Sequence, residues 1–77
     1  MLRAYVLIST EPEKMEVVSG EIRKIKGVIE ASMVYGAYDI VAKIQAETMD
    51  ILKENVASQI RRMEGVRSSS TMIVMEG

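Results

Sequence analysis

The chain repeats itself. Adding 38 to a residue number carries Thr10 onto Thr48, Val18 onto Val56, Ile22 onto Ile60, Arg23 onto Arg61, Ile25 onto Met63, Gly27 onto Gly65 and Val28 onto Val66. Each half holds the same run: a β-rich segment, a threonine, an amphipathic stretch ending in glycine, and a valine that opens the next β-rich segment. Two β-α-β units within 77 residues leave few arrangements. The one predicted is βαββαβ, an α+β ferredoxin-like fold in which an antiparallel sheet of four strands carries both helices on one face. A doubly wound parallel sheet needs more crossovers than this chain has.

The elements follow in order. Leu2 to Ser9 alternates and is rich in Val, Ile, Leu and Tyr, which predicts the first strand. Thr10 reads as an N-cap, with Pro12 in the first turn and Glu13 completing a capping box. Met15, Val18, Ile22 and Ile25 then form a helical stripe, closed by Gly27. Gly20 inside that helix costs about 1 kcal/mol relative to alanine, which predicts a close approach by some neighbour. Val28 to Tyr35 and Tyr38 to Gln45 are strand-like and flank Gly36-Ala37, a pair suited to a two-residue hairpin turn. Thr48 is predicted to cap a second helix with the stripe Leu52, Val56, Ile60 and Met63; Gly65 stops it, and Val66 to Met75 is the last strand.

Composition removes most chemistry. With no cysteine there is neither a disulfide framework nor a thiolate site, and with no histidine the commonest metal ligand and general base is missing. No cofactor or metal is implied, and no catalytic residue is assigned. Ten basic against eleven acidic residues give no footprint for nucleic acid. The one basic cluster, Arg23, Lys24 and Lys26, is offset by Glu16, Glu21 and Glu30. Met1-Leu2-Arg3 runs directly into a strand pattern, and no apolar run approaches the length of a membrane span. The expectation is a cytoplasmic protein of one domain, residues 1–77.

A chain this short buries only about 60% of its unfolded surface, so it gains from a partner. Both faces of the predicted sheet are apolar in places: Leu2, Ala4, Val6 and Ile8 alternate with Tyr5 and Leu7, and Ile73 and Met75 with Met72 and Val74. A sheet with one face in water is more polar than that. The pattern predicts two copies packed sheet against sheet. Of the seven methionines, Met15, Met49 and Met63 lie near the helix stripes and read as core filler.

The hairpin Val34-Tyr35-Gly36-Ala37-Tyr38-Asp39-Ile40-Val41, followed by a helix and then Gly65-Val66-Arg67-Ser68-Ser69-Ser70-Thr71-Met72-Ile73-Val74, resembles the effector-binding (RAM) domain of the leucine-responsive regulatory protein (Lrp/AsnC) family. The likeness covers the whole chain and is to the stand-alone form, without the helix-turn-helix module that usually precedes the domain. It implies a dimer formed through the sheets (a dimeric α/β barrel), assembly into octamers or related rings, and amino-acid effectors held in clefts between dimers. Full-length regulators of the same family are implied as partners.

The resemblance also places a site. The family's Gly-x-Tyr-Asp element falls on Gly36-Ala37-Tyr38-Asp39, and its Thr-x-Thr pattern on Ser69-x-Thr71, where serine replaces the first threonine and keeps the hydroxyl. A free amino acid needs an acceptor for its ammonium, such as Asp39, and N–H donors where a glycine leaves the backbone uncovered. The plainer readings stay open beside this one. Asp39 is then a solvated charge at a hairpin end, and Ser68, Ser69, Ser70 and Thr71 are ordinary strand hydroxyls, two on each face. Three functions compete: a ligand-sensing and oligomerising module, a purely structural partner that pairs through an edge strand, and, as the weakest, a small enzyme using Asp39 with Tyr38 or Tyr35.

Overall fold

A computed structural model describes residues 1–76. Strand β1 spans Leu2–Thr10, β2 Val28–Met33, β3 Ile40–Ala46 and β4 Val66–Ile73. They form one antiparallel sheet in the order β2-β3-β1-β4. Helix α1, Met15–Arg23, follows a 3₁₀ turn over Pro12–Lys14 and joins β1 to β2; helix α2 joins β3 to β4. Each helix thus carries the chain across one intervening strand, the ferredoxin-like arrangement that the repeat predicts. α2 is wound unusually, as a π-helix over Ile51–Ala57 and as an α-helix over Ser58–Arg61.

Period-2 alternation decides which side of the sheet the helices cover. Ala4, Val6 and Ile8 of β1 and Ile40, Ala42 and Ile44 of β3 are fully buried, as are Ile22, Leu52 and Ile60 from the helix stripes. Each Ile or Leu in this core contributes about 1.5–3 kcal/mol through burial. Met15, Ile25 and Met63 pack against its margin. The other face has no helix over it. There the register sets Tyr5 beside Lys43 and Met72, and Leu7 beside Val41 and Ser70.

Several boundaries differ from the sequence reading, each for a local reason. Thr10 caps nothing: it is the last residue of β1, and Glu11 stands at the N-terminus of the 3₁₀ turn without a side-chain cap bond. Thr48 does cap, its Oγ1 accepting the Ile51 N–H at 3.2 Å. The two-residue turn at Gly36-Ala37 is replaced by a connection over residues 34–39, closed where the Val34 N–H donates to the Asp39 carbonyl at 2.8 Å. β4 ends at Ile73 rather than Met75, which is 96% exposed. A Cβ built on Gly20 meets nothing within 4 Å, so no close approach within the chain explains that glycine.

Candidate functional site

Asp39 explains itself once its partners are drawn. Its N–H donates to the Ile8 carbonyl at 2.8 Å, and its carboxylate Oδ2 accepts the Thr10 N–H, also at 2.8 Å. Regular β1–β3 pairing stops at Ile8 opposite Ile40, and the carboxylate takes over as acceptor for the next free donor of β1. Thr10 keeps the alternation of β1, so its N–H faces the same side as the Ile8 carbonyl that Asp39 already engages. The bond from Thr10 to the carboxylate is charge-assisted, and it pins the 34–39 connection to the end of the sheet. Asp39 thus bonds both across the connection, to Val34, and sideways onto β1, in place of a two-residue turn at Gly36-Ala37.

The loop held this way presents its backbone to solvent. Gly36 has φ +142°, a region that side chains rarely adopt, and its surroundings are open. Tyr35 at the tip is fully exposed, Gly36 and Ala37 are exposed, and Tyr38 and Asp39 are half-buried. A carboxylate offers about four acceptor positions, so the bond to Thr10 leaves Asp39 able to accept another donor.

Ser69 and Thr71 do not close this site within one chain. Ser69 pairs with Ile8 and Thr71 with Val6, which puts both on the helix side of edge strand β4, while Ser68 and Ser70 face the open side. That is the two-and-two split expected for the hydroxyl run. Because β1 lies between β3 and β4, Ile40 and Ser69 stand about 10 Å apart, two strand spacings. Gly36, Ala37, Tyr38 and Asp39 form one cluster; Ser69 and Thr71 form a second across the sheet.

Thr10 is the residue that sequence reasoning misplaced. Its N–H holds Asp39, and its hydroxyl is buried without a hydrogen-bond partner in the structure. The signal was present in the alternation of β1, which runs through Thr10 as a buried even-numbered position. Among the described residues no group of acidic side chains is arranged to hold a metal ion, and no helix is long and apolar enough to cross a membrane.

Comparison with known proteins fits this geometry. Residues 3–77 match the family described as the Lrp/AsnC ligand binding domain. An uncharacterized HTH-type transcriptional regulator of Pyrococcus furiosus, PF0250, is 33% identical over 73 residues, which is 91% of this chain and 49% of that protein. The chain spans about half the length of the curated relatives it matches. The structure of TTHA0845 from Thermus thermophilus superposes with a TM-score of 0.92 at 27% identity, covering 100% of this chain and 96% of that one. The hypothetical protein PHS023 from Pyrococcus horikoshii gives 0.89 at 31%, covering 100% and 93%. At 18% identity the regulator NMB0573 of Neisseria meningitidis, solved as a complex with L-Met, shares the fold with a TM-score of 0.84 over 97% of this chain and 50% of that one. The chain belongs to the Lrp/AsnC ligand-binding-domain family.

Proposed function

We propose that this chain is an amino-acid-sensing and oligomerising module related to transcription regulators, acting on assembly and not on DNA directly. The observation that carries the reading is the clamp at Asp39: a glycine-containing loop with open backbone, held against the end of a rigid sheet by a carboxylate that can still accept an ammonium. The L-Met complex of the distant regulator supports an amino acid as the ligand class.

The uncovered sheet face supports assembly. Tyr5 is 38% exposed and Met72 49% exposed, and with Leu7 and Val41 they form an apolar patch that a second copy of the same face buries. Arg3, Lys43 and Gln45 share that face, so the interface is mixed rather than wholly apolar. In this reading dimers join into a ring, and the Gly36–Asp39 loop meets a neighbouring dimer that completes the ligand cleft. Binding at such an interface shifts assembly by mass action, including mixed assembly with full-length regulators of the family.

A thermal-shift screen against the twenty amino acids, with light scattering on the same samples, tests the reading. One amino acid is expected to raise the midpoint and change or tighten the oligomer. Asp39→Asn keeps an acceptor for the Thr10 N–H but removes the charge. It is expected to fold and to bind about 30-fold more weakly, the scale of a lost charge-assisted hydrogen bond. No shift with any amino acid, or full affinity in Asp39→Asn, defeats the assignment.

A further inference from the structure

At the opposite end of β3 from the Asp39 loop lies a cleft of about 540 Å³, between the turn before β2 and the π-wound part of α2. It arises where the two halves of the repeat part company. Gly27 and Gly65 are counterparts, and both have positive φ, +104° and +98°. Around Gly65 the space is filled: the Lys14 stem comes within 3.2 Å of where its Cβ would be, and the Lys14 ammonium pairs with Glu64 at 3.4 Å. Gly65 is buried.

Nothing equivalent covers Gly27. The counterpart of Lys14 is Leu52, which is fully buried in the core, and the counterpart of Glu64 is Lys26, which has no ion pair among the described residues. Gly27 itself lines the cleft, and any larger residue intrudes on Val56, whose Cγ2 lies 2.7 Å from the position of its absent Cβ. One arm is plugged by a lysine stem and an ion pair; the other is left open, with Lys26 at its rim making no ion pair among the described residues.

The wall chemistry indicates what enters. Gln59 Nε2 donates to Asn55 Oδ1 at 2.6 Å, which fixes the two carboxamides against each other. In either orientation of the pair, one NH₂ and one carbonyl are left over, the complement of an amide group. Gln45 is tied to the cleft by its backbone, its N–H donating to the Gly27 carbonyl at 2.8 Å, while Glu47 supplies an acceptor for a cation and Ile51 and Ala46 give apolar wall. The volume lies within the range of small-molecule sites.

We propose that this cleft is a binding site, separate from the Asp39 loop, for a small zwitterion that carries an amide. The ligand's carboxylate goes to Lys26, its ammonium to Glu47 and its amide to the Asn55–Gln59 pair. A dipeptide and free glutamine share this chemistry, and the test separates them. Alanyl-alanine and glutamine are titrated separately into ¹⁵N-labelled protein and followed by two-dimensional NMR.

The expected result with one of them is a saturable shift of the Gly27 and Gln45 backbone amides and of the Asn55 and Gln59 side-chain NH₂ signals. Response to the dipeptide alone identifies a peptide group, and response to glutamine alone a side-chain carboxamide. Asn55→Leu and Lys26→Met change exposed residues, so the fold stays intact, and each is expected to weaken binding at least about tenfold. Asp39→Asn is expected to leave it unchanged. The proposal is overturned if neither compound moves these signals, if shifts are confined to residues 36–39, or if affinity survives both cleft substitutions.

Discussion

The first arm enters its helix through a tight 3₁₀ turn at Pro12–Lys14, whereas the second enters through a wide π-helix at Ile51–Ala57. Away from those entries the arms agree closely. The Ile25 N–H donates to Ile22 and the Val28 N–H to Ile25, and 38 positions later Met63 donates to Ile60 and Val66 to Met63. The repeat therefore specifies how each helix turns into the next strand but not how it begins. At the helix exits glycine at positive φ leaves little choice. At the entries proline enforces a narrow start in one arm only. The surfaces diverge there, one closed over Gly65 and the other open beside Gly27.

The shared exits are the place to break the comparison with the largest effect. Each glycine's absent Cβ faces the valine of the opposite arm, Val56 Cγ2 at 2.7 Å from Gly27 and Val18 Cγ2 at 2.8 Å from Gly65. Positive φ adds backbone strain for any other residue. Gly27→Ala and Gly65→Ala are each expected to lower stability by about 2–4 kcal/mol, measured from urea midpoints. A loss below about 0.5 kcal/mol at either glycine would show that its turn relaxes freely. The exit bonds would then have some other cause.

Much of this was readable in the sequence, because the signals were local and repeated. The element order βαββαβ, the buried stripe Val18, Ile22, Leu52, Val56 and Ile60, and both exit glycines follow from alternation, helical spacing and the 38-residue offset. The hairpin was not readable. Its shape depends on a side chain acting as a strand partner: Asp39 accepts from Thr10, 29 residues away, and no local pattern announces that bond. The same contact withdraws Thr10 from capping, while Thr48, with no such claim on it, caps as its sequence context indicates. The π winding was hidden because Leu52, Val56 and Ile60 recur every four residues, a spacing that also suits an ordinary helix.

A smaller effect is expected where one arm carries a polar atom that the other does without. Ser19 is buried and its Oγ has no hydrogen-bond partner in the structure, while its counterpart Ala57 is buried and apolar. Exchanging the first for the second, Ser19→Ala, removes an unsatisfied hydroxyl at little change in volume. Stability is expected to rise by about 1–2 kcal/mol in the same urea assay. A fall of that size would mean the hydroxyl is hydrogen-bonded in solution, by rotation onto a backbone carbonyl of its own helix or to a buried water.

The smallest effect comes from the next position and bears on what surrounds the domain. Gly20 lies within α1, has no positive φ, and leaves open space where a Cβ would stand; its counterpart Ser58 carries a side chain in the same place and is buried. Nothing inside one chain asks for glycine. Gly20→Ala is expected to raise stability by about 0.5–1 kcal/mol through the lower entropy of the unfolded chain. The informative comparison is between folding and assembly. If the unfolding midpoint rises while light scattering shows the oligomer unchanged, Gly20 faces solvent and its freedom has no packing role. If folding is stabilised but the oligomer weakens, the close approach predicted from the sequence is made by another copy across α1. The contacts between dimers would then involve the helix layer, away from the open sheet face.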